Sequence, residues 1–275
     1  MQCWGVTLFD LTRSKGLVKN SIWMIATGFA ALIFLPEAHL AGAAEIKVLS
    51  AAGMRPVMED LGPKFERATG HKLALTFGAA DAIVNRMREG VSGDVVISPL
   101  GIETLAKDGK VAADSINVIA RARLGVAVRK GAAKPDISSS DAFKRTLLAA
   151  KSITYLNPAQ AGDSGFHFVK VLDRLGITNE MKAKTVLPKA TGAVSALIVD
   201  GEVEIAVLAV QHILFISVAG IEFLGPLPPE LQETMVFSAA IMTGAKSVEA
   251  SKALMEYLRT REATMVITSK GMDLP

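Results

Sequence analysis

The chain has 275 residues, 50% of them hydrophobic, and its 30 basic residues nearly balance its 27 acidic ones. This length and apolar content can fill the cores of two α/β domains, which argues against a disordered chain. The sequence shows no run of like charge, which argues against nucleic-acid binding, so we expect a small partner.

The first 44 residues have the pattern of a secretory signal peptide. Lys15 and Lys19 precede an apolar run at 22–35, and the small residues 41–44 follow it. The run is 14 residues long, whereas a membrane-spanning helix needs roughly 20. We therefore predict a cleaved signal at 1–44 rather than an anchor.

Cleavage after Ala43 or Ala44 would start the mature chain near Glu45. The single cysteine, Cys3, lies before the apolar run and would be lost with the signal. A mature chain without cysteine would carry no disulfide, no thiolate metal site and no thiol nucleophile. We therefore expect the exported protein to depend on its hydrophobic core for stability.

From Glu45 onward, short β-type runs alternate with helical segments. The predicted strands are 46–50, 73–77, 94–97, 125–128, 152–155, 205–208 and 236–241. Six helices are predicted. The first starts at Pro56, the second passes through Ile83 and Met87, and the third spans 141–150. The fourth runs from Ser164 to Gly176, the fifth lies around Leu197, and the sixth spans 248–258. This alternation predicts an α/β fold with mostly parallel sheets covered by helices. Both one wide sheet and two lobes are compatible with it.

Four strand-to-helix junctions combine glycine with small residues. They are 51–55, 78–81, 162–165 and 190–193. Ligands of parallel sheets bind at the carboxyl ends of the strands, where helix N-termini present backbone N–H groups. Together the junctions predict an anion site. The alternative is that glycine and alanine at these positions only permit tight turns.

Side chains within the junctions allow two interpretations each. Ser164 and Thr191 supply hydroxyls that either bind a ligand or cap a helix. Asp81 is better explained as a helix N-cap, because a carboxylate would repel an oxyanion. Arg55 either adds a cation to the first junction or lies on a solvated surface.

Signatures of catalysis are few. We expect His71 to be exposed in its loop, and His212 follows an apolar strand without an obvious acidic partner. His167 falls in the first helical turn after Ser164, where it either approaches a ligand or serves the structure. The histidines lack metal-ligand spacing, and the sequence has neither a Gly-x-Ser-x-Gly nor a phosphate-loop motif. We therefore expect no metal and no cofactor.

Segments with a definite order and spacing carry a family resemblance. They are 48–54 (VLSAAGM), 77–81 (FGAAD), 93–98 (GDVVIS) and 157–176, which starts with Asn-Pro and ends with Leu-Gly. In this arrangement residues 45–275 resemble the molybdate-type periplasmic solute-binding proteins of bacterial ABC importers.

The resemblance implies a type II periplasmic binding protein fold, in which two α/β lobes are joined by two crossing strands. The crossings would fall near 125–128 and 236–241. Lobe one would hold 45–125 and 238–275, and lobe two 126–237. The resemblance also implies a periplasmic monomer that binds a small anionic solute between its lobes and delivers it to an ABC permease in the inner membrane.

The resemblance further implies a set of ligand-binding positions. They are Gly53, Met54, Ala80, Asp81, Ser164, Thr191 and Ala209. Molybdate binders have serines where this chain has Gly53 and Ala80, and a tyrosine where it has Ala209. Backbone N–H groups of Gly53, Ala80 and Ser164 could still hold an oxyanion. The emptier pocket would also admit an organic carboxylate, so both kinds of anion stay open.

Two alternatives to import remain. Periplasmic aconitate isomerases resemble the same family, and such an enzyme would need a general acid or base beside a bound tricarboxylate. His167, Asp163 and Arg55 are the residues to consider for it. The other alternative is a sensor or scavenging protein that binds the solute without a permease.

Overall fold

The structure is a computed structural model that describes residues 42–158, 163–189, 193–217 and 220–275. Most of the predicted signal peptide, residues 1–41, lies outside this part of the chain. The strands are β1 (Glu45–Ala51), β2 (Lys72–Gly78), β3 (Val95–Ser98), β4 (Asn117–Ala122), β5 (Leu124–Arg129), β6 (Ile153–Thr154), β7 (Ile205–Ala209), β8 (Ile221–Pro226) and β9 (Met235–Ile241).

Helices connect most of these strands. They are α1 (Arg55–Thr69), α2 (Ala80–Arg88), α3 (Ile102–Lys107), α4 (Ser140–Ala149), α5 (Asp163–Leu175), α6 (Thr178–Lys182), α7 (Val194–Val199), α8 (Val210–Ile216), α9 (Val248–Tyr257) and α10 (Arg261–Ser269). No helix of the described ranges is long and apolar enough to cross a membrane.

Two sheets form within the described chain. The first has the order β2-β1-β3-β9-β4 and the second the order β6-β7-β5-β8. In the first sheet β1 pairs in parallel with β2 and β3, and β9 runs antiparallel to both of its neighbours. In the second, β6 and β7 are parallel, and β5 runs against β7 and β8. Most strands of each sheet therefore share one direction, as the sequence predicts.

The chain passes between the sheets twice. It leaves the first sheet at the end of β4 and enters the second one at the start of β5, with Arg123 between them. It returns between Pro226 and Met235. The strand that follows each passage, β5 or β9, is the one that runs against its neighbours. Two sheets with two crossings confirm the predicted type II fold.

Helix α1 shows how the sequence pattern produces this packing. Val57, Met58, Leu61 and Phe65 recur at helical spacing, and all four are buried. Pro56 stands in the first turn, where its missing N–H costs no hydrogen bond, as predicted. Removing each of these side chains from water contributes roughly 1.5–3 kcal/mol.

The histidine expected to be exposed is in fact buried. His71 is 7% exposed, its Nδ1 accepts a hydrogen bond of 3.2 Å from the backbone N–H of Ala44, and its ring centroid lies 6.2 Å from that of Phe65. The prediction was wrong because His71 packs against Ala44, just before β1, and against Phe65 of α1. These residues are distant from it in the sequence or lie in another element, so the loop alone does not reveal the burial.

Asp94 connects β1 to the start of α9. Its buried carboxylate accepts backbone hydrogen bonds from Lys47 at 2.8 Å, Lys246 at 2.7 Å and Ser247 at 3.0 Å. We expect Asp94→Asn to lower the unfolding free energy by about 2 kcal/mol, because an amide NH₂ would then oppose buried N–H donors. At roughly 2–4 °C per kcal/mol, thermal denaturation would show a Tm lower by about 4–8 °C.

The matched control is Asp108→Asn. Asp108 makes an exposed ion pair with Arg88 at 3.6 Å, and such pairs contribute little. We expect its Tm to stay within about 2 °C of the wild type. Equal melting temperatures for both variants would show that Asp94 does not stabilise this junction.

Candidate functional site

The first junction, after β1, is a short 3-10 helix at Ala52–Met54 that leads into α1. A Cβ on Gly53 would lie 2.8 Å from Phe237 Cζ and 3.5 Å from Gln211 Nε2. The backbone here therefore approaches β9 and the first turn of α8 so closely that only glycine fits without a shift. Met54 is fully buried in the core, so this predicted ligand position has no exposed atoms in the structure.

The second junction lies between β2 and α2. Ala79 is the N-cap of α2 and makes no side-chain capping bond, so the first-turn N–H groups of Ala80 and Asp81 have no acceptor within the helix. Asp81 is exposed and its Oδ1 accepts from the adjacent Ala82 N–H at 2.8 Å. The prediction that Asp81 is the N-cap was therefore wrong. The helix begins at Ala80, so Asp81 is its second residue.

The third junction is the start of α5. Ser164 is the second residue of the helix, so the N-cap interpretation of it was wrong. Its side chain is 3% exposed, and no described residue makes a hydrogen bond with its buried Oγ. A buried hydroxyl without a partner costs stability, and such groups in native proteins are often explained by function. Ser164 thus offers a donor to a bound molecule.

The first turns of α2 and α5 each carry an aspartate, and the two carboxyls interact electrostatically. Burial and, as a smaller cause, the negative charge of Asp81 together raise the pKa of the Asp163 carboxyl to about 7. Asp81 belongs to a helix of the first sheet and Asp163 to a helix of the second. The two predicted junctions, one beside each sheet, are therefore near enough for their carboxyls to interact electrostatically.

Gln211 is a site residue that sequence reasoning missed. It stands in the first turn of α8 and is 2% exposed, and its Oε1 is buried without a hydrogen bond from any described residue. Ala209, a predicted ligand position, ends β7 just before it and is 7% exposed. The fourth predicted junction is 190–193. Its residues 190–192, which include Thr191, lie outside the described part of the chain.

Two of the suspected catalytic residues are held by neighbours. His167 Nδ1 lies 2.8 Å from Glu233 Oε2, and this hydrogen bond is the main reason why the pKa of Glu233 is below its usual range. Arg55 pairs with Glu59 at 3.2 Å, and its guanidinium lies 4.3 Å from the ring centroid of Phe77. The structural interpretation of His167 is therefore favoured.

His212 is half-buried in the first turn of α8. Burial lowers its pKa to about 4, so its imidazole is neutral at pH 7 and adds no charge to this region.

Two cavities lie elsewhere. One of about 490 Å³ is lined by residues of the second sheet, its loops and α4, including Arg129, Thr146 and Glu204. Another of about 470 Å³ is lined by residues of the two crossings, including Arg123 and Gln232. Neither is lined by the junction residues, so the candidate site is defined by the first turns of α2 and α5.

Two sheets joined by two crossings define a two-lobed α/β fold of the kind that closes around ligands in binding proteins. The family model for bacterial extracellular solute-binding proteins matches residues 46–273, and the chain belongs to that family.

Known relatives agree with this assignment. The chain is 31% identical to an aconitate isomerase of a Pseudomonas species over 234 residues, which cover 82% of this chain and 87% of that protein. It is 28% identical to the molybdate-binding protein ModA of Azotobacter vinelandii over 236 residues, which cover 85% and 92%. The solved periplasmic molybdate-binding protein of A. vinelandii superposes with a TM-score of 0.70 at 21% identity, covering 84% of this chain and 99% of that one. The resemblance to molybdate-type periplasmic solute-binding proteins is confirmed.

Proposed function

We propose that the protein captures a small anion between two lobes, 45–125 with 238–275 and 126–237, in the periplasm. It would deliver the anion, as a monomer, to an ABC permease. The observation that carries the proposal is the buried Ser164 Oγ, which has no partner among the described residues and lies at the start of a 13-residue helix. The α2 first turn on the opposite side adds backbone donors and a second positive dipole end.

The side chains favour an anion held mainly by backbone groups. Gly53 and Ala80 offer only N–H donors, and Ala209 offers no hydroxyl. Ser164 contributes both its N–H and its Oγ. Such a site suits an oxyanion or an organic carboxylate, and the relatives include a protein named for each kind of molecule.

A specific observation also supports a second function, isomerisation of an unsaturated tricarboxylate. A pKa of about 7 gives Asp163 a useful fraction of both protonation states at neutral pH, which is what a general base needs. The carboxylate would take a proton from the methylene carbon of the substrate, and the double bond would shift. The protonated Asp163 would then return the proton at the other end of the allylic system.

A thermal-shift screen tests the proposal. The purified protein would be heated with molybdate, tungstate, sulfate, phosphate, citrate, and cis- and trans-aconitate. A ligand that binds the native state raises Tm once its concentration exceeds Kd. We expect at least one anion to raise Tm in a saturable manner. No shift with any anion at millimolar concentration would contradict anion capture. If the protein converts cis-aconitate to trans-aconitate, it is the enzyme of the second function.

Replacing Ser164 with alanine separates binding from folding. We expect Ser164→Ala to weaken binding of the hit anion about tenfold, because a charge-assisted hydrogen bond contributes roughly 1.5–3 kcal/mol. The Tm of the free protein should stay the same or rise, since an unpartnered polar group leaves the interior. Calorimetric titration measures the first effect and thermal denaturation the second.

The matched control is Ser251→Ala. Ser251 is also fully buried, but its Oγ donates to the Ser247 carbonyl at 2.8 Å in α9. This variant should lose stability and keep its affinity. If Ser164→Ala behaved in the same way, the hydroxyl would have a structural role only.

A further inference from the structure

We propose that the bound anion carries a hydroxyl group and that Gln211 accepts its proton in a hydrogen bond, so that the preferred ligands are hydroxycarboxylates. This inference rests on the proposed function and specifies the ligand of the same site. It concerns a residue that is absent from the set of positions implied by the family resemblance.

Gln211 reaches from one sheet to the other. It follows β7 of the second sheet, yet its Nε2 lies 3.5 Å from the position of a Cβ on Gly53, at the end of β1 in the first sheet. Phe237 of β9 also lies there, with its Cζ 2.8 Å from the same position. The amide therefore lies against the first predicted ligand junction, next to residues of both sheets.

The amide oxygen lacks a donor. Gln211 is 2% exposed, and its buried Oε1 receives no hydrogen bond from any residue in the described ranges. A buried acceptor without a hydrogen bond lowers the stability of the protein, whereas an apolar side chain of similar shape at this position would not. The arrangement is explained if a ligand donates a proton to this oxygen.

The chemistry of the donor selects the ligand class. Molybdate, tungstate and sulfate are fully deprotonated at neutral pH and can only accept hydrogen bonds, so Oε1 would stay unpaired beside them. A hydroxycarboxylate has acceptors for the N–H groups of the junctions and for Ser164, and its hydroxyl can donate to Gln211.

Pairs of ligands that differ by one hydroxyl test the inference. We would measure Kd by calorimetry for citrate against propane-1,2,3-tricarboxylate and for malate against succinate, with molybdate as a donor-free anion. The wild type should bind the hydroxylated member of at least one pair about tenfold more tightly. Equal affinities in both pairs, or tight binding of molybdate alone, would overturn the inference.

Two variants locate the effect. In Gln211→Leu, which keeps the volume and removes the amide, the hydroxyl preference should fall to about one, with the Tm of the free protein unchanged or raised. In Ser164→Ala the binding of both ligands of a pair should weaken by the same factor, so the ratio of their Kd values should not change. A preference that persisted in Gln211→Leu would assign the hydroxyl to another residue and overturn the role of Gln211.

The outcomes also separate this inference from the function on which it rests. If no anion of these pairs or of the thermal-shift screen binds, the proposed capture of an anion fails; if only an anion without a hydroxyl binds, the inference about Gln211 fails. If anions bind without regard to the hydroxyl, only the role of Gln211 fails. The wild-type ratio decides this even if Gln211→Leu does not fold.

Discussion

Gly165→Ala should unfold or severely destabilise the protein. A Cβ at this position would lie 1.7 Å from the carbonyl oxygen of Leu156, which is backbone and cannot move aside as a side-chain tip can. To relieve the clash, α5 would have to shift away from the strand end before it, taking Ser164 with it. We expect a loss of roughly 3 kcal/mol or more, at the upper end for overpacking, and a Tm lower by about 6–12 °C.

A second glycine gives the control. Gly62 lies inside α1, where the nearest atoms to an added Cβ are Leu73 Cδ1 at 3.7 Å and Leu75 Cδ1 at 3.9 Å, both ordinary contacts. Gly62→Ala should change the unfolding free energy by no more than about 1 kcal/mol, because the helix propensity of alanine is offset by its Cβ next to the ring of Pro63. Thermal denaturation of both variants would decide. A Gly165→Ala protein as stable as Gly62→Ala would mean that α5 does not pack on Leu156 as described.

Asp163→Asn should stabilise the free protein most at pH 8, less at pH 5, and hardly at all near pH 4. In the native state burial and Asp81 raise the pKa of Asp163 to about 7, from 3.8. The native state therefore holds a proton that the unfolded chain has lost between these pH values, so the unfolding free energy falls as pH rises through this window. The asparagine of the variant carries no charge, so its unfolding free energy does not fall in this pH range for this reason.

The size of this effect has an upper bound. At about 1.4 kcal/mol for each factor of ten in a proton-binding constant, the cost of the ionised carboxylate reaches at most about 4 kcal/mol above pH 7. Melting curves from pH 5 to 8 without added anions would show the gap between variant and wild type opening with pH. Asp81→Asn should move the wild-type transition to lower pH, because it removes the neighbouring charge. A gap that did not depend on pH would contradict a buried, coupled carboxyl.

The elements with clear periodicity could be predicted from the sequence. Spacing of apolar residues predicted α1 and α5, and Gly176 ends α5 with a φ of +66°, which favours glycine. The two passages between sheets were expected from the resemblance rather than from any pattern in the residues. The predicted strand at 152–155 shortened to Ile153–Thr154, and α10 was missed after α9.

The region after β7 shows why other elements could not be predicted. Residues 205–216 are apolar on every side except at Gln211 and His212, so no periodicity marks where β7 ends and α8 begins. Gln211 therefore had no predicted environment. Its burial depends on Gly53 and Phe237, which are remote in sequence and meet it only in the fold.

The candidate site divides in the same way. Glycine with small residues after strands predicted the junctions at Gly53, Ala80 and Ser164, because that chemistry is local. The raised pKa of Asp163 depends on burial and on Asp81, which belongs to a helix on the other sheet. Such pairs arise from tertiary packing, and a single sequence carries no local signal for them.

A crystal structure of the protein with the anion that gives the largest thermal shift tests the central claim most directly. The account predicts the anion between the two sheets, within hydrogen-bonding distance of Ser164 and of the first-turn N–H groups of α2. An anion bound instead in the cavity beside Arg129 and Glu204 would contradict it.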